Sequence, residues 1–138
     1  MRQKTERWVI ATPGPGFIDI TARTQAWLQK TGAVEGLLTL YVPHTSCSLT
    51  IQENTDPDVL EDLKDALDRV APRRHPYRHN LEGPDDMPAH IKNMLTATSL
   101  SIPVLEGRAV FGTWQALYLI EHRDEPHRRD IVINFTGT

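Results

Sequence analysis

The stretch Trp114-Gln115-Ala116-Leu117-Tyr118-Leu119-Ile120-Glu121 alternates with period two, yet it is apolar on both sides. As a strand it puts Gln115, Leu117, Leu119 and Glu121 on one face and Trp114, Ala116, Tyr118 and Ile120 on the other. A strand apolar on both faces is central and needs a covering layer above and below. It also places Gln115 and Glu121 where a polar group needs a partner, and a His or Arg is the natural one. The spacing leaves open whether those two residues serve stability or catalysis.

Outward from this strand, the chain alternates unevenly between β-rich and helical patterns. Glu6 to Ala11 and Phe17 to Ile20 read as strands joined by Thr12-Pro13-Gly14-Pro15-Gly16, an opening hairpin. Thr21 is placed to cap a helix from Ala22 to Lys30 that Gly32 ends. Gly36 to Val42 and Cys47 to Gln52 follow as strands flanking a loop at His44. Asp56 or Thr55 suits an N-cap, Pro57 the first helical position, and Val59, Leu60, Leu63, Ala66, Leu67 and Val70 recur at helical spacing up to Pro72. A proline-led helix from Pro88 to about Thr98 turns Ile91, Met94 and Leu95 inward and sets His90 in its first turn. Leu100 to Leu105, Val110 to Gly112 with Trp114 to Glu121, and Ile131 to Phe135 complete the strands, with Glu106-Gly107 as a hairpin turn. The expected class is α+β with a mainly antiparallel sheet system, in one domain spanning residues 1–138.

With 138 residues, the chain is long enough to bury a core without staples and too short for a TIM barrel. Hydrophobic residues make up 39% and charged residues 24%, and neither a long apolar run nor a signal-like N-terminus is present, so a cytoplasmic protein without a membrane partner is expected. A net charge of −3 argues against a nucleic-acid partner, which calls for a basic face. The lone Cys47 excludes an internal disulfide.

Chemistry concentrates in Tyr77-Arg78-His79-Asn80-Leu81-Glu82-Gly83-Pro84-Asp85-Asp86-Met87-Pro88-Ala89-His90, which holds two imidazoles, three carboxylates and three helix breakers. A second polar cluster runs from Pro43-His44-Thr45-Ser46-Cys47 to Glu53-Asn54-Thr55-Asp56-Pro57, and a third joins Gly112-Thr113-Trp114-Gln115 to Glu121-His122-Arg123. Three such clusters on a small chain suggest one shared pocket. Imidazole with carboxylate suits a divalent metal, zinc or magnesium, although no compact metal motif is present. One aspartate of Asp85-Asp86 can instead cap the following helix, leaving the other and Glu82 to support a histidine or an ion. Cys47 beside His44 admits a thiolate reading, but it shares its parity with Leu49 and Ile51 and is expected to pack as a small apolar residue. No phosphate-binding glycine loop and no Gly-x-Ser-x-Gly elbow occur.

The runs His44-Thr45-Ser46-Cys47-Ser48-Leu49-Thr50-Ile51, Glu53-Asn54 with Asp56-Pro57, Tyr77 through Ile91, and Gly112-Thr113-Trp114-Gln115 with Glu121-His122-Arg123-Asp124 closely resemble the YjbQ family. The resemblance implies a seven-stranded β-sandwich of two sheets with two main helices, assembled as a homotrimer. It implies secondary thiamine-phosphate synthase activity, the joining of hydroxymethylpyrimidine diphosphate to thiazole phosphate with release of pyrophosphate. Carried onto this chain, the pocket comprises His44, Asn54, Asp56, His79, His90, Gln115 and Glu121, with Arg128 or Arg129 near an anion. On this reading His44, His79 and His90 converge on a metal or phosphate, supported by Glu82, Asp85 and Asp86, and the partner is a small phosphorylated substrate. Two alternatives stand beside it: a trimer that binds a metal or phosphometabolite without turnover, and a metal-dependent hydrolase.

Overall fold

A computed structural model describes residues Met1–Thr138. Eight strands and three helices follow one another as β1 (Arg2–Thr12), β2 (Gly16–Asp19), α1 (Thr21–Thr31), β3 (Gly36–Tyr41), β4 (Cys47–Glu53), α2 (Pro57–Val70), α3 (Asp86–Leu95), β5 (Ser99–Leu105), β6 (Arg108–Ala109), β7 (Gln115–Glu121) and β8 (His127–Gly137). Two antiparallel sheets result, one ordered β1-β8-β3-β5-β6 and the other β2-β7-β4. The α+β class stands, with eight strands rather than seven and three helices rather than two main ones. The additional strand is β6, two residues long, closed onto β5 by Glu106 and Gly107, whose φ of 53° and 79° give the tight hairpin twist. Val110 to Gly112, expected as strand, lies outside any element.

The expected opening hairpin does not form. β1 pairs along its whole length with β8, and β2 pairs with β7, so the Pro13 to Gly16 turn carries the chain from one sheet to the other. Proline offers no N–H to a ladder, and a long partner on β8 outcompetes the short β2. β7 is the middle strand of the smaller sheet, and every residue from Ala116 to Glu121 is buried. Its Leu117 and Leu119 join Leu49 of β4, Trp27 and Leu28 of α1, and Leu38, Leu40, Ile131, Ile133 and Phe135 of the larger sheet in one core of 19 buried residues. Gln115 is instead exposed, and its amide oxygen accepts from Gly112 N–H, so it needs no core partner.

α2 begins as expected, with the Asp56 carboxylate accepting from Asp58 N–H at 2.9 Å and Pro57 at the first position. α3 begins two residues earlier than its proline suggested. Pro88 is tolerated at the third helical position because the first-turn N–H groups have no intrahelical acceptor. Met94 and Leu95, expected inward, are exposed. No helix is long and apolar enough to cross a membrane.

Candidate functional site

Starting α3 at Asp86 puts Asp86 and His90 at positions i and i+4, one above the other on a single helix face. The loop before the helix folds back at Gly83, where φ is 101°, and this reversal returns His79 to the helix start. As a result His79 Nε2 lies 2.6 Å and His90 Nε2 3.3 Å from the same oxygen, Asp86 Oδ2. The two imidazole rings stand 5.4 Å apart between centroids at 68°. One ligand atom from each of the three residues falls within 4.8 Å of the others. Ligands about 2.1 Å from a tetrahedral zinc sit roughly 3.4 Å apart, so small side-chain adjustments close this set around one ion.

Asp86 is buried, while His79 and His90 reach the surface. Its second oxygen, Oδ1, is held at 2.9 Å by Arg123 Nη1. The same guanidinium donates to Asp85 Oδ2 from Nε at 2.8 Å and to the Glu82 carbonyl from Nη2 at 3.0 Å. Asp85 also accepts from Asp124 N–H, so its carboxylate anchors the loop and does not cap α3. Burial opposes the charged form of Asp86, but the His79 hydrogen bond and the Arg123 charge outweigh it and hold the carboxyl below its ordinary range. The site is thus an ionised carboxylate with one oxygen clamped and the other shared by two imidazoles. Glu82 stands at its rim, 3.9 Å from His79 Nε2.

His44 does not join this group, and the three-histidine convergence is corrected on that point. Its Nε2 accepts from Asp130 N–H at 2.8 Å, which ties the β3–β4 loop to β8 and occupies the lone pair a metal would need. Burial and the charge of Arg129 lower its pKa, so it is a neutral structural acceptor. Glu121 and Arg129 are likewise spent on each other. Arg129 Nε donates to Glu121 Oε1 at 2.7 Å, Thr12 Oγ1 donates to the same oxygen at 2.6 Å, and Arg129 Nη2 reaches Ser46. This buried network joins β7 of one sheet to β8 of the other and leaves Arg129 unavailable to an external anion. Arg128 is exposed on β8. Asp56 is the α2 cap, Asn54 accepts from Thr55, and Gln115 lies at the surface, so the single shared pocket divides into separate places. Cys47 is fully buried in the core, and burial pushes its thiol up to about 12.

Two residues with buried polar contacts were not among the expected site residues. Arg123 was legible only as part of a polar cluster, because its three partners lie about forty positions away in the chain. His122 sits at 5% exposure with Nε2 2.8 Å from Ser48 Oγ, where the alternation of β7 ends.

The UPF0047 protein YjbQ-like family model matches residues 5–138. A UPF0047 protein of Synechocystis sp. is 48% identical over 99% of this chain and 93% of its own length. An uncharacterised conserved protein of the same family from Clostridium acetobutylicum superposes with a TM-score of 0.87 at 34% identity, covering 95% of this chain and 99% of that one. A hypothetical protein from Aeropyrum pernix superposes with a TM-score of 0.89 at 31% identity, covering 98% and 99%. These relatives are named as uncharacterised, hypothetical or simply UPF0047 proteins, and they give no support to thiamine-phosphate synthase activity; that expectation is withdrawn. With the family model matched from residue 5 to the last residue and a close sequence relative spanning nearly the whole chain, the protein belongs to the UPF0047, YjbQ-like family.

Proposed function

We propose that this chain is a divalent-metal-binding protein whose centre is His79, Asp86 and His90, and that the centre takes a small phosphorylated ligand. The observation that carries the reading is the meeting of both histidine Nε2 atoms on one oxygen of Asp86. Two imidazoles and one carboxylate suit zinc, and three protein ligands leave a position open. Bound there, zinc would polarise an anionic oxygen or a water held at the open position.

The chain's own residues prepare the site. Arg123 orients Asp86 and keeps it charged, so only Oδ2 faces the imidazoles. Beside His79 opens a hollow of about 320 Å³ that also touches Arg73, His75, Tyr77 and Asn80, a polar and partly cationic space sized for a small anion. Elemental analysis and calorimetric zinc titration test the centre. Wild type is expected to take up one zinc per chain, His79→Ala and His90→Ala to lose it while keeping the fold, and His44→Ala to retain it. Zinc uptake unchanged in both His79→Ala and His90→Ala would end this reading.

A further inference from the structure

The guanidinium that clamps Asp86 starts from a backbone held by the core. Arg123 lies two residues beyond the end of β7, outside any helix or strand. Its main-chain N–H donates to Glu121 Oε2 at 3.2 Å and makes no bond to another backbone group. The His122 N–H meets the same oxygen at 3.1 Å, and the Asp124 N–H meets Asp85 Oδ2 at 2.9 Å. Two buried carboxylates, one ending β7 and one just before α3, thus receive three consecutive N–H groups of this turn.

Glu121 is a firm support because its own carboxylate is bonded on both oxygens. Oε1 accepts from Thr12 Oγ1 and Arg129 Nε, and Oε2 accepts from Arg129 Nη2 at 2.5 Å as well as from the two N–H groups. Thr12 and Arg129 belong to β1 and β8 of the larger sheet, and Glu121 to the middle strand of the smaller one, so the turn is fixed to both sheets at once. An ionised acceptor also holds an N–H more strongly than a neutral one. From that anchored main chain the Arg123 side chain reaches Asp86 Oδ1, Asp85 Oδ2 and the Glu82 carbonyl.

We propose that Glu121 is a positioning residue for the centre at His79, Asp86 and His90: through the Arg123 main chain it sets the guanidinium that aims Asp86 Oδ2 at both imidazoles. It touches none of the three ligands and acts only through Arg123. Its effect on metal binding rests on the reading of that centre given above, whereas its hold on Arg123 does not.

Removing Glu121 alone leaves Arg129 as a lone buried charge, so the test removes both, Glu121→Leu with Arg129→Met, which keeps the space filled. Glu121→Gln, which keeps the shape and one acceptor oxygen, is the milder second variant with the same expected direction. Two quantities are followed: the Arg123 Nε–H resonance in metal-free protein by ¹⁵N NMR, and zinc affinity by calorimetry. Wild type is expected to show a slowly exchanging Arg123 resonance, and the double variant to lose it and bind zinc about tenfold more weakly. In an Arg123→Gln background the same pair of changes should weaken zinc no further, because both act through one contact. Ile133→Val, a core change on the strand that carries Arg129, should lower stability and leave both quantities as in wild type. An unchanged Arg123 resonance in both variants would overturn the hold on Arg123, and additive losses in the Arg123→Gln background would overturn the positioning role. A wild type that shows the resonance and takes up no zinc would end the metal reading, and the positioning role with it, while leaving the hold on Arg123 to stand on the resonance.

Discussion

At the scale of single residues, Arg123 has the widest influence on the site without bonding either imidazole. Its three bonds to Asp86, Asp85 and the Glu82 carbonyl hold the loop, and through Asp86 they orient the cluster proposed to bind a metal. Arg123→Gln is expected to lower zinc affinity about 10- to 100-fold, the usual effect of removing a residue that orients a ligand, with calorimetry as the measurement. His122 gives a second prediction. Burial and then the charge of Lys92 bring its pKa from 6.5 down to about 4. Between pH 6.5 and about 4 the unfolded chain therefore binds a proton that the folded chain refuses, so stability rises with pH across this window and is lost on acidification. The gap corresponds to about 3 kcal/mol. Urea titrations at pH 7 and pH 4 should show His122→Gln losing about 3 kcal/mol less than wild type between the two; equal losses would contradict the buried neutral ring. Glu121 acts with the same sign at lower pH, because Arg129 and Thr12 outweigh its burial and depress its pKa, and its contribution fades as it protonates.

Among the elements, α2 and α3 show how much a cap settles. Asp56, expected both as a cap and as an anion ligand, serves as the cap of α2. Asp56→Ala should cost about 1 kcal/mol in denaturant unfolding and leave zinc uptake unchanged. The pattern of α2 was readable because Pro57 and the apolar spacing agree. The start of α3 was not, since proline at a third helical position looks in sequence like proline at the first. That two-residue difference hid the Asp86–His90 pair, which becomes an i,i+4 contact only once the helix includes Asp86. The β1–β2 turn misled for a related reason: Pro and Gly mark a reversal but do not say which strand each arm will pair with.

For the whole molecule, uncovered apolar surface is the notable property. No residue of α2 is fully buried although one face carries Val59, Leu60, Leu63 and Leu67, and Leu81, Met94 and Trp114 are 95%, 76% and 60% exposed. We propose the homotrimer as the assembly that covers them. Light scattering at micromolar concentration is expected to give three times the 15.6 kDa chain mass, and a monomer there would remove the proposal. The sequence by itself determined the local elements and their buried faces: a two-sided β7, an amphipathic α2, a core-facing Cys47. These follow from periodicity and caps, which act over a few neighbouring residues. Only the tertiary structure decided that Arg129 neutralises Glu121, that His44 bonds β8 while His79 and His90 meet at Asp86, and that Arg123 clamps a loop far away in the chain. Those choices depend on which strands pair across the two sheets, and pairing is fixed by competition among all available partners rather than by any one segment.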